Sequence, residues 1–162
     1  IKAEDKIRII FVGGGAERLR LEQQVKICAL SNIVMIPRQP PANMQSIWSL
    51  CDVSLVTLKD TPLFSTVIPS KIFESMAMAL PILIAVPEGE STEIVKNENS
   101  GLVLPPEDPH SLVEALLNMR NDKELYRDLA VNSLLAASKF NRKTLAIEML
   151  SHIEELFIQT LK

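Results

Sequence analysis

The chain has 162 residues, 47% of them apolar, with 17 Lys and Arg against 20 Asp and Glu, for a formal net charge of −3. That length and apolar content suit one buried core and one domain over 1–162. Few aromatics and no basic run exclude the electrostatic footprint of a DNA- or RNA-binding protein, and no apolar run approaches the ~20 residues that cross a bilayer.

The first residues show no signal-peptide pattern. The sequence opens on Ile1 rather than Met, and Ile1 to Lys6 runs directly into the apolar stretch Ile7 to Val12, as in a piece of a longer protein. Cys28 and Cys51 lack metal-type spacing and read as buried thiols of a reducing compartment, which makes the cytoplasm the expected setting.

In chain order, Arg8 to Val12 is the first expected strand. A helix from about Ala16 to Leu30 follows, with Leu21, Val25 and Cys28 at helical spacing on the side expected to face the sheet. Ile33 to Ile36 is the second strand, and Met44, Ile47 and Trp48 mark a shorter helix. Val53 to Thr57 is the third strand, a Ser/Thr/Pro loop leads to a helix beginning near Ser70, and Ile82 to Val86 is the fourth strand. Leu102 to Leu104 gives a short fifth between Gly101 and Pro105. Asp108-Pro109 with Ser111 opens a helix through Met119, and two more follow over Lys123 to Lys139 and Arg142 to Leu161. Strands alternating with helical segments predict an α/β domain, Rossmann-like and three-layered, with a parallel sheet covered by helices on both faces. The last helix carries Leu145, Met149, Ile153, Leu156 and Phe157 at helical spacing; its first half is expected to pack on the sheet.

Several residues carry candidate chemistry. Gly13-Gly14-Gly15 follows a strand and opens a helix, where a doubly wound sheet binds nucleotides. The third glycine of a dinucleotide fingerprint would fall at Arg18, and the next strand ends in Pro37-Arg38 without an acid for a ribose. An NADP site using Arg38 and a plain tight turn at positive φ both stay open. Ser70 and Lys71 stand at a helix start, where backbone amides and the dipole favour an anion; the alternative for Ser70 is to cap its own helix. Lys71 opposes the dipole unless an anion is bound. Glu74, between Phe73 and Met76, is expected in apolar surroundings, either on a ribose diol or in a salt bridge. His110 and His152 have no triad or metal setting, and no carboxylate pair forms an acid/base couple.

The run Lys71-Ile-Phe-Glu74-Ser-Met-Ala-Met-Ala-Leu-Pro81, with Glu88-Gly-Glu90, Glu93-Ile-Val95 and Gly101-Leu-Val-Leu-Pro-Pro-Glu-Asp108-Pro109, resembles the C-terminal half of retaining GT-B glycosyltransferases of the large family 4 group. Gly13 to Gly15 and Ser49-Leu-Cys-Asp52-Val match further parts of that pattern. The resemblance implies that this chain is the C-terminal nucleotide-sugar-binding domain, one half of a GT-B fold. It also implies a separate N-terminal acceptor domain, and a head strand and helix with an Arg and a Lys for the donor phosphates, which are expected to lie outside this chain. It places Glu74 on the donor ribose, Pro37 and Arg38 beside the base, and the Glu88 to Glu93 turn near the donor sugar. The first of the family's two glutamates would fall on Thr66, and the family's Gly-rich turn is replaced by Val67-Ile68-Pro69. The Pro-Ser-Lys version resembles a branch that builds bacterial surface polysaccharides from N-acetylated sugars.

The resulting expectation is a donor-binding domain of an enzyme that moves a sugar, with retention, from a nucleotide diphosphate sugar to a glycan or lipid-linked acceptor. UDP is the first choice of nucleotide, with GDP and ADP behind it. No metal and no cofactor are expected, the donor being a substrate, and the fragment alone is expected to be inactive with no catalytic residue of its own. Donor contacts are assigned to Gly13, Gly15, Arg38, Thr66, Ser70, Lys71 and Glu74. Peripheral membrane association of the full-length enzyme stays open, as do two rivals: half of a sugar-nucleotide 2-epimerase and a non-catalytic nucleotide-binding or interaction module. In relatives the terminal helix crosses to the N-terminal domain, so the apolar end at Leu156, Phe157 and Ile158 is expected to lose its cover here.

Overall fold

The computed structural model describes residues 6–160, with side chains as far as Phe157. The lead-in over Ile1 to Asp5, the side chain of Ile158 and the helix end at Leu161 lie outside the described residues. The chain divides after Leu50 into two compact units.

In the first unit, β1 (Ile9–Val12) and β2 (Ile33–Ile36) pair in parallel, from Ile9 opposite Ile33 to Val12 opposite Ile36. Parallel neighbours need a crossover, and α1 (Arg18–Ile27) supplies it. The last helix of the unit, α2 (Pro41–Trp48), starts on a proline, whose missing N–H is no loss at the first helical position. The stripe expected on α1 is not buried: Val25 is half-covered, Leu21 sits at the edge of exposure, and Cys28 is exposed. Leu19 and Ile27 also point to solvent, so the apolar residues of α1 surround its axis rather than forming one face. A two-stranded sheet has too little area to bury all of them. No described residue of this unit is fully buried.

The second unit holds the core. Its elements are β3 (Ser54–Thr57), a 3-10 turn (Pro62–Thr66), α3 (Lys71–Ala77), β4 (Ile82–Ala85), α4 (Glu90–Asn97), β5 (Gly101–Leu104), α5 (Pro109–Asn121), α6 (Lys123–Ala137) and α7 (Arg142–Thr160). The strands form a parallel ladder in the order β3-β4-β5, with Val56, Ile84 and Val103 abreast. Every residue of β4 is buried, as an inner strand covered on both faces requires. Val56, Ile82 and Ile84 on one face meet Ile72 and Met76 of α3, Val95 of α4 and Ala136 of α6. On the opposite face Leu83 is fully buried, and α5 runs against β4 and β5 with Ala115, Leu116 and Met119 inward. The Ser133 hydroxyl of α6 shares its one proton between the carbonyls of Leu80 (2.8 Å) and Ser100 (3.2 Å), tying α6 to the segments that enter β4 and β5.

Helix α5 begins as its sequence dictates. Asp108 Oδ1 accepts from the amides of His110 (3.0 Å) and Ser111 (3.3 Å), with Pro109 first in the helix. The bond from the Ser111 hydroxyl, then that from its amide, holds the Asp108 carboxyl below the usual carboxylate range. Two expectations are corrected here. The segment read as an acidic turn at Glu88, Glu90 and Glu93 contains the helix α4. The side chains of α7 are exposed from its first turn, Leu145 and Met149 included, so its first half does not pack on the sheet. Its apolar residues at 145, 149, 150, 153, 156 and 157 fall on one side of the helix, and that side is exposed, as is Ile147.

Candidate functional site

The loops after β3 and β4 leave the same edge of the parallel ladder and lead to the starts of α3 and α4, the edge at which open α/β sheets bind ligands. The two loops press together. Gly89, the residue before α4, has no room for a Cβ, which would overlap the carbonyl oxygen of Ser65 in the 3-10 turn. The Gly89 amide bonds to Thr92 Oγ1 (3.1 Å), whose hydroxyl lies 2.7 Å from the Gly89 carbonyl. In the turn itself the Ser65 and Thr66 hydroxyls donate to the carbonyls of Pro62 (2.8 Å) and Leu63 (2.9 Å). Thr66 is exposed with its proton committed to its own turn, so its oxygen faces a ligand only as an acceptor.

Ile72, Ser75 and Met76 form the buried side of α3, and Lys71 and Glu74 stand together on its exposed side, one turn apart. Glu74 is therefore exposed, a correction of the apolar surroundings expected for it: positions 72, 75 and 76 turn inward, and a residue at 74 turns away from them. Its carboxylate accepts the Ser70 hydroxyl at 3.1 Å. Ser70, expected as a helix cap, makes no side-chain cap bond: its own backbone is already helical (φ −58°, ψ −24°), and its hydroxyl donates to Glu74. The amides of Ile72 (3.1 Å) and Phe73 (3.1 Å) reach back three residues, to Pro69 and Ser70. That tight first turn leaves the amides of Ser70 and Lys71 as the donors for an outside acceptor. No described carboxylate forms an ion pair with Lys71. Glu88, Glu90 and Glu93 are exposed around the start of α4, with Lys96 3.4 Å from Glu93 and 3.8 Å from Glu88.

In the first unit, Gly13 and Gly15 both have positive φ (140° and 138°), with nothing near a Cβ at either place. The conformation of the turn requires glycine there, not a close neighbour. Arg38 is exposed in the proline-bounded loop after β2, where Gln39 Nε2 donates to the Pro37 carbonyl at 3.1 Å. The loops carrying Gly13, Gly15 and Arg38 thus leave the same edge of β1 and β2. Sequence reasoning missed Arg18: its guanidinium donates to the carbonyls of Gly13 and Ile36 (2.9 Å) and pairs with Glu22 (2.8 Å), clasping both loops. The only signal was negative, an arginine where a dinucleotide fingerprint wants glycine.

An open cleft of about 410 Å³ also lies at this edge of the second unit, beside Leu58, Lys59, Ala85, Glu107 and Leu112; none of the anticipated donor residues lines it. Among the described residues no three His, Cys, Asp or Glu side chains are grouped as a metal would need, and no helix is long and apolar enough to cross a membrane. His110 and His152 are both exposed, His152 3.8 Å from Glu155.

The family described as glycosyl transferases group 1 matches residues 1–134. The chain belongs to this family. It is 33% identical over 117 residues to the probable glycosyltransferase WbjE of Pseudomonas aeruginosa, a match that covers 69% of this chain and 28% of the relative. Among solved structures, sucrose-phosphate synthase from Thermosynechococcus elongatus superposes with a TM-score of 0.77 at 24% identity, covering 97% of this chain and 41% of that one. Anabaena HepE in complex with UDP gives 0.76 at 18% identity, covering 92% and 41%. These likenesses show the fold, that of GT-B glycosyltransferases. The chain spans well under half the length of each of these three proteins.

Proposed function

We propose that this chain is the C-terminal, donor-binding domain of a glycosyltransferase that moves a sugar with retention from a nucleotide diphosphate sugar, UDP first among the candidates. The observation that carries the reading is the exposed pair Lys71 and Glu74 at the start of α3, on the ligand-binding edge of a parallel sheet. An ammonium with no described carboxylate paired to it, beside the amides of Ser70 and Lys71, suits a diphosphate. Glu74, one turn on, suits the two hydroxyls of a ribose. Thr66 and the glycine turn at Gly13 and Gly15 are assigned to the donor, with Arg38 beside the base. The charge on the departing diphosphate is met by Lys71 and helix amides, without metal or cofactor. HepE, a member of the same fold class, is seen with UDP and with UDP-glucose, which supports UDP as the first candidate here. The acceptor, a glycan or lipid-linked sugar of a bacterial polysaccharide, is assigned to the N-terminal domain of the longer enzyme, which acts in the cytoplasm, and the 162 residues alone are inactive.

Calorimetric titration of the chain with UDP, uridine and 2',3'-dideoxy-UDP tests the reading. Lys71→Ala weakens UDP and leaves uridine nearly unchanged. Glu74→Gln weakens UDP by about 1 to 3 kcal/mol and removes the preference for UDP over the dideoxy analogue. Equal losses for UDP and uridine in Lys71→Ala, or an unchanged preference in Glu74→Gln, overturn the assignment.

A further inference from the structure

Beneath Lys71 lies a pair of hydroxyls that packing alone does not explain. Ser54 on β3 and Ser75 on α3 are both buried, at 1% and 0% exposure. Ser75 Oγ lies 2.6 Å from Ser54 Oγ and 2.6 Å from the carbonyl oxygen of Lys71. A carbonyl can only accept, so the single Ser75 proton goes to Lys71, and the Ser54 hydroxyl gives its own to Ser75. The Ser54 amide is in turn fixed to the Pro81 carbonyl at 2.9 Å. The result is a chain of bonds running from the strand ladder to the backbone of Lys71.

A seven-residue helix has little rigidity of its own. Ile72 and Met76 anchor its buried side by apolar contact, which constrains how deep the helix sits more than where along its axis it stops. The hydrogen-bonded pair is directional and meets the helix at the residue that carries the ammonium. Alanine at both positions would leave an all-apolar contact, so the hydroxyls are not needed to fill space.

We propose that Ser54 and Ser75 are positioning residues for the donor diphosphate: together they hold the Lys71 backbone at a fixed height on the sheet and so set where its ammonium meets the phosphates. This rests on the reading that Lys71 contacts the diphosphate.

The test is the double variant Ser54→Ala with Ser75→Ala, which removes both hydroxyls and strands neither. UDP and uridine affinities and the melting temperature are measured on the full 162-residue chain beside Lys71→Ala. The expected result is UDP affinity lowered about tenfold, uridine affinity unchanged and melting temperature nearly unchanged. Unchanged UDP affinity in the double variant, or a parallel loss of UDP, uridine and thermal stability, overturns the proposal and leaves the pair a purely structural contact. Should the double variant fail to fold, Ser54→Ala alone is decisive, because Ser75 keeps its bond to Lys71 and loses only its tie to β3: selective weakening of UDP supports the proposal and unchanged UDP affinity overturns it. If Lys71→Ala weakens UDP selectively and the serine variants do not, only the positioning role falls; if Lys71→Ala leaves UDP binding intact, the donor reading fails and this role with it.

Discussion

Which side of α3 a residue occupies follows from its place relative to the buried positions 72, 75 and 76, spaced i, i+3 and i+4, and not from its chemical type. Glu74 faces solvent because Ile72, Ser75 and Met76 claim the inner side of α3, and that arithmetic was available in the sequence; flanking by Phe73 and Met76 in linear order pointed the other way. The cysteines follow the same logic. Cys28 is exposed at the end of α1, and Cys51 is half-buried, against the expectation of two buried thiols. Burial, and then the Asp52 carboxylate, push the Cys51 thiol up, so at neutral pH less of it is thiolate than in an ordinary cysteine. Alkylation with iodoacetamide near pH 7.5, read by peptide mass spectrometry, is expected to modify Cys28 about tenfold faster than Cys51. Comparable rates would show that Cys51 is more open than its surroundings indicate. Cysteine statistics favour burial, but a residue at the end of an unevenly apolar helix on a two-stranded sheet has nothing to be buried against. Arg18 was illegible for a different reason: a side chain that reaches back to two carbonyls from separate loops leaves no mark on periodicity or spacing.

At the scale of elements, glycine placement ties the site together. Gly89 lets the loop after β4 lie against the 3-10 turn that carries Thr66, and Gly101 lets β5 start against the Ile82 carbonyl, where a Cβ would also overlap. Backbone atoms stand in the way at both places, so Ala at either position displaces main chain. Gly101→Ala and Gly89→Ala are each expected to destabilise the fold by about 1 to 3 kcal/mol. The two separate in ligand binding: Gly89→Ala shifts the donor-side turn and weakens UDP, whereas Gly101→Ala, at the opposite end of the strands, leaves the affinity of the folded protein unchanged. Titration and thermal melting of both variants check this, and equal effects on UDP would contradict it. All five strands were legible to within a residue because each is a short apolar run bounded by turn residues. Helix α4 was not, because eight residues, ESTEIVKN, hold only two apolar side chains, Ile94 and Val95. Its readable signals were Gly89 before the first turn, Glu90 and Glu93 in it, and Lys96 in the last. At the start of α3, a helix beginning near Ser70 was legible, but not the tight turn that occupies the Ile72 and Phe73 amides, since hydrogen-bond partners at a helix end depend on local backbone angles.

Over the whole molecule, alternation of strands and helices announced a parallel α/β architecture, while the uneven distribution of burial was hidden, because both halves contain equally apolar strands. Ile9, Ile10, Ile33 and Ile36 are as apolar as anything in β4, yet they stop at half-burial, whereas Ile82, Leu83 and Ile84 reach 0% exposure. Apolar content states what a strand can bury; the layers around it decide what it does bury. The difference predicts how the backbone opens. A β4 amide is held by a ladder with neighbours on both sides and helices on both faces, so exposing it requires the second unit to lose its core. A β1 or β2 amide belongs to a two-stranded ladder in a unit without a fully buried described residue, and it is released by a local opening of lower free energy. Native-state hydrogen exchange at neutral pH is expected to show the slowest amides at Leu83, Ile84 and Ala85, with those of β1 and β2 faster by roughly 100-fold or more. Denaturant should then lower protection in β4 steeply, with the slope of large-scale unfolding, and protection in β1 and β2 only slightly, with that of a small opening. If β1 and β2 exchange as slowly as β4 and with the same denaturant slope, the two units unfold as one cooperative body and the distribution of buried side chains does not govern stability.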